Sequence, residues 1–400
     1  MLDDKTVATI HATAPALKEH GLAIVQRMYT LMFAAEPGVQ RMFNPANQRP
    51  SRQHGALAHA VWAYAANIHD PSVLFPTIAL INHKHVAHRV RPEHYPIVGG
   101  HLLQAIGDVL GDAATPEIIE AWGRAYGFLA DLLIANEQKL ETELAEQPGG
   151  WSGMRPFIVA GKVIESDEVA SFYLQPEDCG ALPAFQPGQY APVKVRTPLH
   201  PDGTVRCYSL SCRPGLGHLR ITVKREPEGQ ASGHLHANVQ EGDTLELGAP
   251  CGSFTLQESE RPLLLLSGGV GQTPMVSMLE HAVQRRGDRP IWFVHAARNG
   301  RVHALRHQVA HLAATSPGVK TLTAYSEPTP EDRQGRDYDQ RGFITPEALA
   351  DIYSAQPDLD AYVCGPRPFM AAMLKGLSTI GVADERVNYE FFGPASALGG

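Results

Sequence analysis

The spacing of apolar residues changes twice along this 400-residue chain. Over about the first 145 residues, apolar positions recur at steps of three and four, which is the spacing of one helix face. In the clearest segment Thr115 can cap a helix, and Pro116 suits its first position. Its apolar face comprises Ile118, Trp122, Tyr126, Leu129 and Leu133. Similar periodicity over 23–32 and 57–68 extends the prediction to an all-α domain.

The sequence Gln-Pro-Gly-Gly at 147–150 ends the helical pattern and is typical of a linker. Short apolar runs separated by turn residues follow it, as in an antiparallel β-barrel. These predicted strands are residues 157–160, 191–195, 219–223 and 244–247.

From about residue 261, apolar strands alternate with helical segments, which predicts a doubly wound parallel sheet. Its predicted strands are residues 263–266, 290–294, 320–324 and 361–363. The whole pattern predicts a multidomain chain with three parts joined by one linker. The predicted limits are 1–140 for the all-α domain, 141–151 for the linker, 152–258 for the antiparallel β-barrel and 259–400 for the α/β domain.

Composition narrows the class of protein. The net charge of −8 argues against a nucleic-acid-binding surface, which needs a basic footprint. Five cysteines, odd in number and without C-x-x-C spacing, argue against a disulfide scaffold or a cysteine zinc site and fit a reducing compartment. The N-terminus lacks a signal-peptide pattern, and the longest apolar run is far shorter than a membrane span. We therefore expect a cytoplasmic chain without an integral membrane segment.

Two motifs suggest nucleotide chemistry. Gly269-x-Gly271 follows a predicted strand and precedes a helix, where glycines let the backbone approach a pyrophosphate. Pro274 stands where the dinucleotide fingerprint has a third glycine, so an ordinary tight turn is an alternative. Arg206 and Tyr208 lie on one predicted strand, and they could pair with a phosphate and stack on a flat ring. The alternative there is a strand with an exposed arginine and a half-buried tyrosine.

The order of these and further motifs along about 250 residues resembles that of the ferredoxin-reductase family of flavoproteins. The flavin motif R-x-Y-S matches Arg206 to Ser209, the motif G-x-x-S matches Gly229 to Ser232, and G-x-G-x-x-P matches Gly269 to Pro274. The resemblance implies FAD and NAD(P)H as cofactors. The residues it implies for binding them are Tyr190, Arg206, Tyr208, Ser209, Gly229, Ser232, Gly269, Gly271, Gln272, Thr273, Pro274, Cys364, Gly365, Pro366, Glu390 and Phe392, the last as the aromatic cover of the flavin.

The helical half holds many of the 19 histidines but no H-E-x-x-H motif. His85 and His88 are spaced as a two-histidine metal site would be, yet no carboxylates have matching spacing. Taken singly, these histidines are more typical of ordinary surface or core residues.

Residues 1 to about 140 resemble the globin domain of the bacterial flavohemoglobin family. Lys84-His85 matches the segment that carries the proximal haem ligand, and Tyr95 and Glu137 match the residues beside it. On the distal side, Tyr29, Gln53 and Phe43 match the family. The resemblance implies haem b with His85 as the iron ligand. It implies Phe43 and Lys84 as haem-binding residues and Tyr29, Gln53, Tyr95 and Glu137 as catalytic residues.

The activity implied is that of an NAD(P)H-dependent nitric oxide dioxygenase, an enzyme acting on O₂ and NO as a monomer. NAD(P)H would reduce FAD, FAD would reduce haem, and the ferrous oxygenated haem would oxidise NO to nitrate. Three alternatives remain open: an O₂ carrier or sensor with its own haem reductase, an alkyl hydroperoxide reductase, and a flavin reductase with a haem-free helical domain.

Overall fold

The computed structural model describes residues 2–40, 52–285 and 289–392, and for residues 40, 52 and 53 the backbone alone. It divides into two compact units, one of which covers 1–143 and the other 144–392. No helix in the described ranges is long and apolar enough to cross a membrane.

The elements of the first unit within the described residues are all helical, as predicted. Its helices are α1 (Asp4–Ala35), α2 (Pro37–Gln40), α3 (Arg52–Ala66), α4 (Phe75–His88), α5 (His94–Leu110) and α6 (Pro116–Glu146), with 3₁₀ turns at Pro71–Leu74 and Gly111–Ala113. Its main core packs α1, α3, α5 and α6 around fully buried side chains such as Ile10, Met32 and Ile106. A smaller cluster of Ile78, Tyr95, Ala130 and Leu133 joins α4 to α5 and α6.

Helix α6 begins as predicted but ends later. The backbone N–H of Ile118 donates to the Thr115 hydroxyl over 3.4 Å at its start. At its other end the helix continues to Glu146, so the first part of the predicted 141–151 linker is helical. The reason is local: residues 141–146 are good helix formers, and the first breakers are Pro148 and Gly149.

Close contact at one glycine fixes the crossing of α5 and α6. A Cβ atom on Gly99 would collide with the ring of Tyr126, so the Tyr126 side chain of α6 lies directly against the α5 backbone there. The Tyr126 hydroxyl donates to the Tyr95 carbonyl over 2.8 Å at the same crossing. This contact sets the position of Tyr95 relative to α6.

The second unit begins with the predicted antiparallel barrel. Its elements are β1 (Arg155–Ile164), β2 (Val169–Pro176), β3 (Tyr190–Thr197), β4 (His200–Ser209), β5 (Leu219–Lys224), α7 (Gln230–Asn238) and β6 (Thr244–Leu247). The strand order is β4-β3-β6-β1-β2-β5, and an antiparallel bridge between Leu210 and Ile221 brings the two edges together. Lys162 donates to carbonyls at the end of α7, including His236 and Val239 at 2.7 Å each, and so holds that helix on the barrel.

The predicted doubly wound sheet follows. Its elements are β7 (Leu263–Gly268), α8 (Gln272–Arg285), β8 (Ile291–Ala297), α9 (Arg306–Thr315), β9 (Val319–Tyr325), β10 (Gln340–Arg341), α10 (Pro346–Ala355), β11 (Asp360–Cys364), α11 (Arg367–Thr379) and β12 (Val387–Glu390), with 3₁₀ turns at Gly269–Gly271 and Asp384–Arg386. All strand pairs are parallel, in the order β10-β9-β8-β7-β11-β12. The chain reverses its winding at β7, so the crevice beside the carboxyl ends of β7 and β11 is where such sheets bind ligands.

The barrel and the parallel sheet are tied together by ion pairs at one edge. Arg301 pairs with Asp167 at 2.7 Å, and the Asp167 N–H donates to the Arg301 carbonyl over 3.0 Å. Arg298 pairs with Glu168 in the same turn of the barrel.

Two imidazoles are buried inside the parallel-sheet region. Burial lowers the pKa of His303 to about 4 and keeps the pKa of His295 well below its ordinary range. An unfolded histidine titrates near pH 6.5, so between that pH and about 4 the unfolded chain binds more protons than the folded chain. The free energy of unfolding therefore falls as the pH falls through this window.

We expect His303 alone to remove about 2 kcal/mol of unfolding free energy between pH 7 and pH 5. Hydrogen exchange of the β8 amides, corrected for intrinsic rates, measures this opening free energy at each pH. The His303→Phe variant should lose less stability than the parent over this range, whereas replacement of the exposed His311 by Phe should change nothing. Identical pH dependence in the parent and His303→Phe would contradict this assignment.

Candidate functional site

A buried hydrogen-bonded group surrounds His85 in the last turn of α4. Its Nδ1 lies 2.7 Å from Glu137 Oε1 and 3.0 Å from the Tyr95 hydroxyl. The Tyr95 hydroxyl also lies 2.5 Å from that Glu137 oxygen. A phenol has one proton, and we assign it to Glu137, the closer and anionic acceptor. His85 then donates its own Nδ1–H to the carboxylate, and its Nε2 keeps a free lone pair.

The surroundings keep the Tyr95 phenol of this group protonated. Glu137 and Tyr95 are both buried, whereas the His85 side chain is one-third exposed (33%). Burial, reinforced by the Glu137 carboxylate, raises the pKa of Tyr95 well above its usual range, so the phenol remains a donor. An imidazole whose Nδ1–H meets a carboxylate is a more basic ligand at Nε2. This donor set suits one axial ligand of a haem iron.

The backbone conformation at the end of α4 orients His85. The helix stops at His88 because Arg89 adopts a left-handed conformation (φ 57°), and the Val90 N–H turns back to the His85 carbonyl over 2.9 Å. Lys84 lies half-buried beside His85. Burial lowers the pKa of His83, which precedes them.

The predicted distal residues fall partly within the described chain. Tyr29 is buried on α1, and its ring packs on Phe33 at 5.3 Å and on His54 at 4.9 Å between centroids. Gln53 belongs to the first turn of α3, but its side chain lies outside the described residues, as does Phe43 entirely.

His54 is a further residue beside Tyr29, and no motif in the sequence identifies it. Its Nδ1 is shielded from solvent and has no hydrogen-bond partner among the residues that the structure describes. Its position directly after Gln53 was the feature of the sequence that could have identified it.

The predicted flavin residues line the β3–β4 pair. Tyr190 lies opposite Ser209 in the antiparallel register, and both are buried. Burial raises the pKa of Tyr208 and lowers that of the Arg206 guanidinium. Arg206 donates from Nη1 to the Thr204 hydroxyl at 2.6 Å and the Val205 carbonyl at 2.7 Å, which holds it along its own strand.

The G-x-x-S motif forms the start of α7. Gly229 is the N-cap, with no side-chain cap hydrogen bond, and the Glu226 N–H donates to the Ser232 hydroxyl over 3.1 Å. A Cβ on Gly229 would collide with that hydroxyl, so glycine is required for this turn. An N-terminus without a side-chain cap is a suitable place for a phosphate.

The glycine turn (Gly269–Gly271) and the C-G-P loop (Cys364, Gly365 and Pro366) meet backbone to backbone at the point where the sheet reverses. Gly269 has a positive φ of 53°, and a Cβ on Gly271 would fall inside the contact radius of the Cys364 carbonyl. A Cβ on Gly365 would lie 3.0 Å from the Gly268 nitrogen. Behind the turn, the first residues of α8 are buried: Gln272, Thr273 and Pro274. Pro366 is the N-cap of α11.

The end of the chain brings Glu390 to the same crevice. Cys364 and Glu390 are register partners at the carboxyl ends of β11 and β12. Burial raises the pKa of Tyr190 well above its usual range, and Cys251, Cys207 and Glu390 add to that rise. Phe392 is 42% exposed, whereas Phe391 packs under the Arg367 guanidinium at 4.8 Å. The assignment of Phe392 as the flavin cover stays a prediction.

Family models match three successive parts of the chain. The globin model covers 26–133, the oxidoreductase FAD-binding domain covers 156–256, and the oxidoreductase NAD-binding domain covers 265–375. The chain is 49% identical over 398 residues to the flavohemoprotein of Bordetella parapertussis, spanning 98% of this chain and 99% of that protein. It is 47% identical over 399 residues to the flavohemoprotein of Bacillus subtilis, spanning 100% and 99%.

The chain belongs to the flavohemoprotein family.

Solved structures agree with this membership. A flavohemoglobin from Malassezia yamatoensis with bound FAD and heme superposes with a TM-score of 0.83 at 27% identity, covering 98% of this chain and all of that one. The FAD/NAD-binding domain of a nitric oxide dioxygenase from Vibrio cholerae matches 60% of this chain and 99% of its own at 35% identity, with a TM-score of 0.55. The predicted fold class and the resemblance to flavohemoglobins are confirmed. The individual site residues stay predictions.

The contact at Gly271 gives a direct test of the nucleotide crevice in this flavohemoprotein. We expect Gly271→Ala to push the turn away from the Cys364 carbonyl, because a backbone oxygen has little freedom to move. Overpacking of this kind costs about 1–3 kcal/mol. The KM for NADH should rise in a ferricyanide reduction assay, which needs only the flavin half.

The matched control is Gly217→Ala, because a Cβ on Gly217 would meet nothing within 4 Å. Parent-like KM and stability in Gly271→Ala would show that the turn has more room than this geometry gives it.

Proposed function

We propose that this chain is an NAD(P)H-dependent nitric oxide dioxygenase that contains haem b and FAD. The observation that carries the proposal is the Glu137–His85–Tyr95 group in a helical unit, on the same chain as a flavin and nicotinamide reductase. The Malassezia relative binds FAD and heme, and the Vibrio relative is named as a nitric oxide dioxygenase.

The residues of the helical unit fit a haem. His85 offers Nε2 as the axial ligand because Glu137 holds Nδ1. Tyr29 presents a buried phenol on α1 beside a cluster of rings. Gln53 and Phe43 complete this set as predicted residues, and Lys84 is the predicted haem-binding neighbour of His85.

The reductase unit fits FAD and a nicotinamide nucleotide. Arg206 and the N-terminus of α7 would hold flavin phosphates, and Tyr208 would stack on the ring. The glycine turn before α8 would hold the nicotinamide pyrophosphate, with Cys364 and Glu390 at the reacting end. The predicted domain limits of 1–140, 152–258 and 259–400 are supported by the three family matches, each of which falls inside one of them.

When bound, the haem supplies an iron that activates O₂, and FAD converts a two-electron hydride donor into a source of single electrons. The chain's own residues would hold the protons and donate the hydrogen bonds that this chemistry needs. Glu137 keeps the His85 proton on Nδ1 and makes the imidazole electron-rich. Tyr29 would donate a hydrogen bond to a polar ligand on the distal side, and the buried phenol of Tyr95 fixes the carboxylate of Glu137.

Two further properties belong to this proposal. The cysteine usage and the net charge of −8 support a cytoplasmic protein that does not bind nucleic acid. We also propose that the chain acts as a monomer, because the globin, FAD-binding and NAD-binding family models all match this one chain.

The decisive experiment adds NO to the purified holoprotein with NADH in air. A dioxygenase will consume NADH and NO and produce nitrate, whereas a carrier or sensor will show no such rise in NADH consumption. An alkyl hydroperoxide added instead of NO separates the reductase alternative. The His85→Ala variant should lose the Soret band, which would be absent from the start if the helical unit were haem-free.

For the distal side we expect Tyr29→Phe to weaken O₂ binding by roughly 10- to 100-fold, since a lost hydrogen bond to a partly charged ligand costs about 1.5–3 kcal/mol. NO turnover at limiting O₂ should fall with it, while NADH-driven flavin reduction stays at the parent rate.

Tyr64→Phe is the matched control, because the Tyr64 hydroxyl donates over 2.9 Å to the Ala125 carbonyl within the helical core. It should lower stability but leave O₂ affinity intact. O₂ affinity that is the same in Tyr29→Phe and the parent would make Tyr29 a core residue.

A further inference from the structure

Two buried histidines stack on each other beneath the nucleotide crevice. The rings of His295 and His303 lie 4.5 Å apart between centroids at an angle of 27°. Their exposed fractions are 1% and 6%. Neither belongs to the residues assigned above to the flavin or the nicotinamide.

His295 is bonded to the strand that leads into the glycine turn. Its Nδ1 lies 2.9 Å from the Ser267 hydroxyl, and the two residues are register partners in β8 and β7. Ser267 directly precedes Gly268 and the turn whose backbone contacts the Cys364 carbonyl. A shift of His295 would therefore reach the turn through one hydrogen bond.

His303 is bonded to the end of a different strand. Its Nδ1 lies 2.9 Å from the hydroxyl of Tyr325, the last residue of β9. The Tyr325 ring stacks on Tyr338 at 5.1 Å, and the next residue, Ser326, donates its N–H to the Ala297 carbonyl over 3.1 Å. The stacked pair thus joins the carboxyl ends of β7, β8 and β9.

The position of the pair matches the footprint of an extended dinucleotide. A dinucleotide lies across the carboxyl ends of parallel strands, with its pyrophosphate at the glycine turn and its adenosine half over the neighbouring strands. Ser267 lies next to the position expected for the pyrophosphate, and Tyr325 lies at the end of the strand expected under the adenosine half. The distance between these two anchor points is set by the stacked imidazoles.

Packing alone does not account for histidine at these positions. His295 Nε2 is buried and has no hydrogen-bond partner in the described ranges, a cost that a phenylalanine would avoid. Because burial keeps both rings neutral, they donate and accept hydrogen bonds without bringing positive charge under the crevice. The Nδ1 bonds to Ser267 and Tyr325 are what phenylalanine could not supply.

We propose that His295 and His303 are positioning residues for NAD(P)H, which hold the glycine turn and the end of β9 at the spacing that the dinucleotide needs. The inference deepens the proposed function, since it rests on the nicotinamide site of that same reductase. It concerns binding of the dinucleotide and not the reaction on haem.

The test compares KM with kcat for NADH in ferricyanide reduction by the full-length holoprotein. His303→Phe keeps a stacked ring but loses the bond to Tyr325, so we expect KM to rise roughly fivefold while kcat stays within about twofold. His303→Asn places an amide near the former Nδ1 and should restore most of the parent KM. His311→Phe, an exposed change in α9, should have no effect.

A second variant removes the other partner of the same bond. Tyr325→Phe should raise KM at least as much as His303→Phe does, since it also removes the contact of the Tyr325 hydroxyl with Arg306. The double variant should be no worse than Tyr325→Phe alone, because that variant has already lost the bond to His303. This comparison holds even if one histidine variant folds poorly.

An unchanged KM in His303→Phe and Tyr325→Phe, or a fall in kcat with KM constant, would overturn the proposal. NO consumption by the parent is measured separately. A parent that reduces ferricyanide with the expected KM pattern but does not oxidise NO would refute the proposed function and leave this inference standing.

Discussion

The hydrogen bond from His85 to the buried Glu137 carboxylate is the interaction on which the functional account of the helical unit depends. At 2.7 Å it fixes the tautomer of the imidazole and leaves Nε2 as a strong ligand. Three helices must be placed correctly for it to form, since His85, Tyr95 and Glu137 come from α4, α5 and α6. The ring of Tyr126 against Gly99 and the hydrogen bond from the Tyr126 hydroxyl to the Tyr95 carbonyl place Tyr95 relative to α6, and the apolar cluster around Ile78 joins α4 to both helices.

The reductase unit depends on a comparable constraint at backbone level. The glycine turn after β7 and the C-G-P loop after β11 approach so closely that neither Gly271 nor Gly365 has room for a side chain. The crevice is therefore formed by main-chain atoms, which suit a phosphate ligand because their N–H groups are fixed by the fold. Beneath it, uncharged imidazoles connect strands that are far apart in sequence.

The pattern of apolar residues predicted the helices and strands well where one or both faces of the element are buried. The stripe from Ile118 to Leu133 marks α6, and the run of leucines at 263–266 marks a strand buried on both faces. The end of α6 was predicted too early because the residues before Pro148 favour a helix. Pairing order in the two sheets could not be derived, since it depends on contacts between strands distant in sequence.

The site was less predictable than the fold. Glu137 continues the apolar stripe of α6 one turn beyond Leu133, so a carboxylate on a buried face was a readable signal, but its partner His85 was not. Tyr29 has the spacing of a core residue, and only the family resemblance singled it out. His54, His295 and His303 carry no motif of their own, and their roles depend on ring contacts that only a three-dimensional structure shows.

The iron–histidine stretching frequency of the ferrous, ligand-free holoprotein tests the central claim most directly. Resonance Raman spectroscopy should show a lower frequency in Glu137→Gln than in the parent. A neutral amide lacks the negative charge that makes the imidazole a stronger ligand. Glu141→Gln is the matched control, since this carboxylate lies one turn further along α6 and faces Arg91 at 3.4 Å. A lowered frequency in Glu137→Gln alone is the result we predict. The same frequency in Glu137→Gln and in the parent would contradict the account.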